Sequence, residues 1–407
     1  MLVLLIATPA TAQTVERITF DEAIRRATTN NPTVQQAATG ILRAESLLQQ
    51  VRARSLPALD ATFTTSVIGP VTEFGGSSIQ PRAQTVTGSA LSAPLVVPVL
   101  WAQRAQALDQ VRVAEIGAND VRRQIALATA EAYLAIITQR RVLELNERAR
   151  DNARAHYQYA DQRFQGGIGS RLNMLRAQQE LSGDEARVED AQLAIRRAQE
   201  ALGVLVAAEA PVDAAEEPMF APPPDLATAG RRDLQLVIAR QDAATRVLND
   251  SWRSYLPSVA ALFSPQVQAP SGLFSDAVSW RAAVTVNIPI FEFGGRRAEK
   301  AERQALLTQV TQQRSGLERQ ISSQVRVAQE AVRLTERALE RARTAAGQAN
   351  EVVQIADVAF REGATTNIEV IDAQRRARDA ETAAAVAEDA VRRSRLELLI
   401  ATGRFPQ

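Results

Sequence analysis

The chain has 407 residues, a net charge of +1, no cysteine and one histidine, His156. Without cysteine there are no disulfides, thiolate metal sites, cysteine nucleophiles or lipidated N-terminal cysteine. A lone histidine excludes a His-rich metal site and a Ser-His-Asp triad away from that position, and balanced charge, with Lys300 the only lysine among many arginines, reads as salt-bridged helix faces rather than a nucleic-acid patch.

Residues 1–13 form a short apolar run ending in Ala10-Thr11-Ala12, the pattern of a clipped secretory signal with an A-x-A cleavage site. Beyond it no stretch of ~20 uncharged apolar residues occurs, so no membrane-spanning helix is expected. Residues 14–206 then read as a first repeat, 207–230 as a linker and 231–407 as a second repeat.

The first repeat opens with helical composition over 21–54. Two segments, 58–68 and 85–97, break that pattern and read as amphipathic strands around a Gly/Pro/Ser-rich loop at 69–82. Pro57 and Pro94 punctuate them. A helix over 99–164 follows, roughly 100 Å long at 1.5 Å per residue. It turns at Gly166-Gly167 and returns over 172–206. Along the return, Val188, Ala191, Ile195, Ala198, Leu202 and Leu205 recur on steps of three and four, a heptad seam. The stretch 207–230, with Pro211, Pro218 and Pro222-Pro223-Pro224, has linker composition.

The second repeat runs in the same order. A helix is expected over 231–255 and strands over 258–268 and 279–291, with a loop at 269–278. A helix over 296–360, a turn at Gly363 and a return over 368–401 complete it. Residues 321–360 carry the clearest seam, from Ile321, Val325 and Ala328 to Val353, Ala356 and Phe360, broken only by Thr335. The tips align without gaps, residues 159–178 on 355–374. Ala160, Asp161, Phe164, Gly167, Ala177 and Gln178 equal Ala356, Asp357, Phe360, Gly363, Ala373 and Gln374.

The fold class is therefore mainly α with a β-barrel portion, built as long coiled-coil helical hairpins in tandem duplication. Each strand has the length of a tilted transmembrane β-strand. Four strands cannot close a barrel, and open edges are not tolerated in lipid. A homotrimer supplies twelve strands, enough for a transmembrane barrel continued by a helical one. The alternative reading is a periplasmic coiled-coil structural or adaptor protein that forms no pore.

Two motif sets carry a family resemblance. The start Ile18-Thr19-Phe20-Asp21-Glu22-Ala23 with Asn30-Asn31-Pro32, and Asn287-Ile288-Pro289-Ile290-Phe291 with Gly294-Gly295-Arg296-Arg297, are one. Phe164-Gln165-Gly166-Gly167 and Phe360-Arg361-Glu362-Gly363, each followed by a hydrophobic residue and Ala-Gln, are the other. In this order and duplicated, they resemble the TolC family of trimeric outer-membrane efflux and secretion ducts.

The resemblance implies strands in the outer-membrane lipid, with a helical barrel in the periplasm. It implies hairpin tips that meet a periplasmic adaptor (membrane fusion) protein and, through it, an inner-membrane pump. The tip residues so implied are Phe164, Gly167, Arg171, Asn173, Phe360, Gly363 and Thr365. Glu369 and Asp372 match the acidic rings of the family's periplasmic aperture. Three residues apart, they share a helical face, and threefold symmetry would stack two rings of carboxylates that attract cations. Thr365 stands where some members carry a locking arginine. Neither cofactor nor enzymatic activity is implied. Gly166-Gly167-Ile168-Gly169-Ser170 lacks a P-loop lysine and follows a helix. His156 reads as a packing or surface residue, and Trp101, Trp252 and Trp280 as strand-end residues suited to an interfacial belt.

Overall fold

The computed structural model describes residues 15–71, 73–228 and 230–405; the expected signal segment, 1–13, lies outside the described residues. In chain order the elements are β1 (Glu16–Ile18), α1 (Phe20–Asn30), α2 (Pro32–Ala53), β2 (Ala58–Val67), β3 (Glu73–Phe74) and β4 (Ser77–Ser78). Then come β5 (Ala83–Val96), α3 (Pro98–Gln165), α4 (Arg171–Val206), β6 (Val212–Ala214), α5 (Arg232–Asn249) and a 3-10 turn (Asp250–Tyr255). The chain continues with β7 (Ser258–Ala269), β8 (Val278–Asn287), α6 (Gly295–Arg361) and α7 (Asn367–Ala401).

The chain divides into two compact units. One holds residues up to 36, 119–232 and from 318 on; the other holds 37–118 and 233–317. Each draws on both sequence repeats.

In the first unit α3 and α4 pack antiparallel, as do α6 and α7. Asn350 donates to Glu381 at 2.8 Å, and Arg395 bonds Glu336 at 2.6 Å. The expected seam is the buried stripe of α6: Ile321, Val325, Ala328, Ala346 and Phe360 are buried. Thr335, which interrupts it, is satisfied by the Ser394 hydroxyl at 2.9 Å. On α4, Val188, Ala191 and Leu202 are buried as the period requires.

The stretch 207–230 is more than a linker. Val212, Asp213 and Ala214 form β6, which pairs in parallel with β1 through Glu16↔Val212, Arg17↔Asp213 and Ile18↔Ala214. Phe20 then packs edge-on against Tyr133 at 5.4 Å and Phe220 at 5.5 Å. The Tyr133 hydroxyl lies 3.1 Å from the carbonyls of Ile18 and of Glu216, and accepts from the Glu216 N–H at 3.2 Å. Arg140 bonds Asp213 at 2.7 Å. A three-residue strand has no period to read, so composition alone hid this core.

The helix expected over 21–54 is two helices. Asn31 is extended, as the residue before a proline prefers. Its side chain accepts from Thr33 N–H and donates to the Leu205 carbonyl, both at 2.9 Å. Helix 231–255 likewise tightens into its 3-10 turn at Asp250.

The second unit holds a four-stranded antiparallel sheet in the order β2-β5-β7-β8. β5 starts at Ala83, two residues before its expected start, and bends through a register shift between Pro94 and Val96. β8 stops at Asn287 rather than continuing to 291, because Pro289 has no N–H to give the ladder. The loop 69–82 contains the small β3–β4 hairpin, turning on Gly75 and Gly76, both at positive φ.

Candidate functional site: an amphipathic sheet and paired helical tips

Register fixes the two faces of the sheet, since directly opposed residues share a face. Phe63, Thr87, Val267 and Val278 form one row, and Leu59, Leu91, Phe263 and Ala282 another on the same face. Ala93, Ala261 and Val284 continue the same face, as does Trp280 beside Pro265. The opposite face carries Asp60, Thr62, Thr64, Gln84, Gln266, Gln268, Arg281 and Asn287. The apolar face is bare within the chain: Phe63 is 73% and Trp280 69% exposed. β2 and β8 end the strand order, so each leaves one ladder edge unpaired. Among the described residues no helix is long and apolar enough to cross a membrane. Trp101 and Trp252 are also exposed, the latter under Arg253, whose guanidinium carbon lies 5.8 Å from the ring.

The two tips are built alike, offset by 196 positions. At the first, Gly167 N–H bonds the Phe164 carbonyl and Ile168 N–H the Arg163 carbonyl, both at 3.0 Å. At the second, Gly363 bonds Phe360 at 3.1 Å and Ala364 bonds Ala359 at 2.7 Å. These are the paired bonds of a Schellman turn, which places its glycine at positive φ; Gly167 lies at +73° and Gly363 at +75°. Gly169 answers a different need: a Cβ there would sit 2.7 Å from backbone atoms of Arg163 and Phe164. Ser170 caps α4 by accepting from the Leu172 N–H at 3.2 Å.

Of the tip residues expected to meet a partner, Phe164 and Arg171 are exposed, and Asn173 and Thr365 are half-buried. Phe360 is not available: its ring is buried between His156, at 5.6 Å, and Tyr159, at 5.9 Å. Asn173 does contribute to a contact between hairpins, because its carbonyl accepts from Asn367 Nδ2 at 3.1 Å.

Glu369 and Asp372 both face outward from α7. They line one shallow groove with Val352, Ile355, Thr365 and Arg376. Arg376 pairs with Asp372 at 2.9 Å. The two acids thus share a face, as their spacing requires, but differ in how far their charge is met within the chain.

A buried ionic cluster joins α4 to α7. Arg375 Nε donates to Glu180 at 2.8 Å, and Arg378 bonds Asp184 at 2.7 Å and Glu180 at 3.5 Å. Burial pushes the Glu180 carboxyl upward, but the Arg375 hydrogen bond and the charges of Arg375, Arg378 and Arg187 hold it below its ordinary range. Beside the cluster lies a cavity of about 110 Å³ lined by Asn350, Glu180, Asp184, Arg378 and Glu381, room for a few waters. The sequence carried a signal for this. Glu180 and Asp184 continue the seam of Ala177, Val188 and Ala191, where charge is unexpected. Among the described residues no group of three metal-ligating side chains converges.

Solved membrane proteins show the same fold. A membrane protein from Pseudomonas aeruginosa is 20% identical over 96% of this chain and 91% of its own, with a TM-score of 0.82. The Campylobacter jejuni CmeC outer membrane channel is 14% identical over 98% and 90%, also at 0.82. The open-state Neisseria gonorrhoeae MtrE outer membrane channel is 18% identical over 95% and 90%, at 0.81. No curated protein matches the chain. Residues 23–208 and 224–404, both repeats and nearly the whole described chain, match the outer membrane efflux protein family, and the chain belongs to that family.

Proposed function

We propose that the chain is one subunit of a homotrimeric export duct in the bacterial outer membrane, gated at its tips and driven from elsewhere. The observation that carries this reading is the sheet. A four-stranded sheet with one bare apolar face and two unpaired edges is unsatisfied as a monomer in water or in lipid. Three copies supply twelve strands, pair every edge and turn the apolar face to hydrocarbon and the polar face to a lumen.

In this reading the helices continue the passage into the periplasm. Cargo diffuses through, and Glu369 and Asp372 line the periplasmic aperture as rings of carboxylates. Exposed tip residues, among them Phe164, Ile168 and Arg171, meet a periplasmic adaptor coupled to an inner-membrane pump. The energy comes from that pump.

Planar-bilayer conductance, together with mass in detergent, tests the reading. A trimer with discrete conductance steps is expected. A water-soluble monomer without conductance sinks it and favours a coiled-coil bridging protein.

A further inference from the structure

His156 is the chain's one histidine, and it is buried. Its Nε2 is hydrogen-bonded to the Asn367 side-chain oxygen. Asn367 is buried too, and its Nδ2 donates to the Asn173 carbonyl at 3.1 Å. With the amide nitrogen so engaged, the amide oxygen is the acceptor facing the ring. His156 therefore donates from Nε2–H, and the neutral tautomer keeps Nδ1 unprotonated. Through these three residues α3 and α4 of the first hairpin are tied to α7 of the second.

The surroundings favour the neutral ring. Phe360 of α6 stacks obliquely on it. Asn173 of α4 and Asn367 of α7 bring no charge. The charged group acting on it is Asp357 of α6, and that carboxylate is already paired with Arg361 at 2.7 Å. Burial pushes the imidazole below its ordinary value of about 6.5, against the smaller opposing effects of the Asn367 bond and Asp357.

We propose that His156 and Asn367 form a proton-operated tie between the two hairpins, holding the tips together while His156 is neutral and releasing them when it takes up a proton. The consequence for export rests on the reading of the tips as a gate. The direction follows from linkage. In the parted state the ring is solvated and protonates near its ordinary value, whereas in the tied state it resists. The tied state is therefore fully favoured above that value and loses ground as pH falls below it. Each pH unit separating the two titrations shifts the balance about tenfold per histidine. A trimer carries three.

The test is resting conductance of the full-length protein in planar bilayers at about pH 7.5 and about pH 5.5, the interval in which histidine titrates. The wild type should rise several-fold on acidification. His156→Gln keeps an N–H donor without a titratable ring and should lose the rise. A flat wild-type response, or an undiminished rise in His156→Gln, overturns the tie. Should the protein form no channel, the export reading fails separately, and the tie is decided by NMR titration of the single imidazole in detergent. An imidazole midpoint below the ordinary value, with the Asn367 side-chain amide shifting at the same midpoint, supports the tie. A midpoint at or above the ordinary value, or an amide that does not follow it, overturns it.

Discussion

Arg378 of α7 lies 2.7 Å from Asp184 of α4, and both side chains are buried, at 9% and 5% exposure. Burial withdraws both charges from bulk solvent, so each depends on its ionic partners: Asp184 on Arg378 and Arg187, Arg378 on Asp184, Glu180 and Asp379. The pair joins a helix of the first repeat to one of the second, in a cluster that also holds Glu180.

Arg378→Met leaves Glu180 and Asp184 buried with only the more exposed Arg375 and Arg187 to meet them. Removing one partner of a buried pair costs about 3–5 kcal/mol, while replacing all partners by apolar groups can be neutral. Chemical denaturation should therefore find Arg378→Met strongly destabilised. The triple variant Arg378→Met, Glu180→Leu, Asp184→Leu should recover much of the loss. Equal destabilisation in both would mean that packing, not charge, holds this region.

The same cluster gives an acid limit. The folded-state pKa of Glu180 lies below its unfolded value of about 4.3. Its contribution is fully present above that value and is lost as pH falls through the folded pKa. Stability followed by intrinsic fluorescence should hold through mildly acid pH and drop below about pH 4. Glu180→Gln should lose part of that drop. This window lies below the one set by His156, so the two can be separated by titration.

Much of this was legible in the sequence because it is periodic. Ile321, Val325 and Phe360 announce a seam by their steps, and Val284-Thr285-Val286-Asn287 announces a two-faced strand by alternation. Gly167 and Gly363 mark turns because a Schellman C′ position needs positive φ. Contacts between distant positions with no period stayed hidden. His156 and Asn367 are 211 residues apart, and nothing local to either implies the other. Val212-Asp213-Ala214 is too short to show a strand period, so its neighbouring prolines dominated the reading. Phe360 was equally readable as seam or as tip surface; the His156 and Tyr159 rings beside it decide for the seam.

At the proposed aperture Glu369 and Asp372 should not be equivalent. Asp372 has Arg376 at 2.9 Å, which offsets its field, whereas no ion pair involves Glu369 among the described residues. Carboxylate rings bind cations through that field. Block of the channel by multivalent cations should therefore weaken more in Glu369→Ala than in Asp372→Ala. The double variant should also raise resting conductance. Unchanged block in both would make these acids ordinary surface residues.

Val284 and Thr285 are neighbours on β8 with opposite fates. Val284 opposes Ala261 on the apolar face, and Thr285 opposes Ala260 on the polar one. Both are solvent-exposed in the single chain, so a soluble sheet would accept arginine at either with little change. In one third of a barrel the two differ. An arginine facing lipid costs about 2–4 kcal/mol near the bilayer midplane, and a lumen-facing one is solvated. Val284→Arg should lower the yield of trimer recovered from the outer-membrane fraction, and Thr285→Arg should leave it near wild type. Reversal of that order would put the wrong face in the membrane. Equal tolerance would leave this sheet in water.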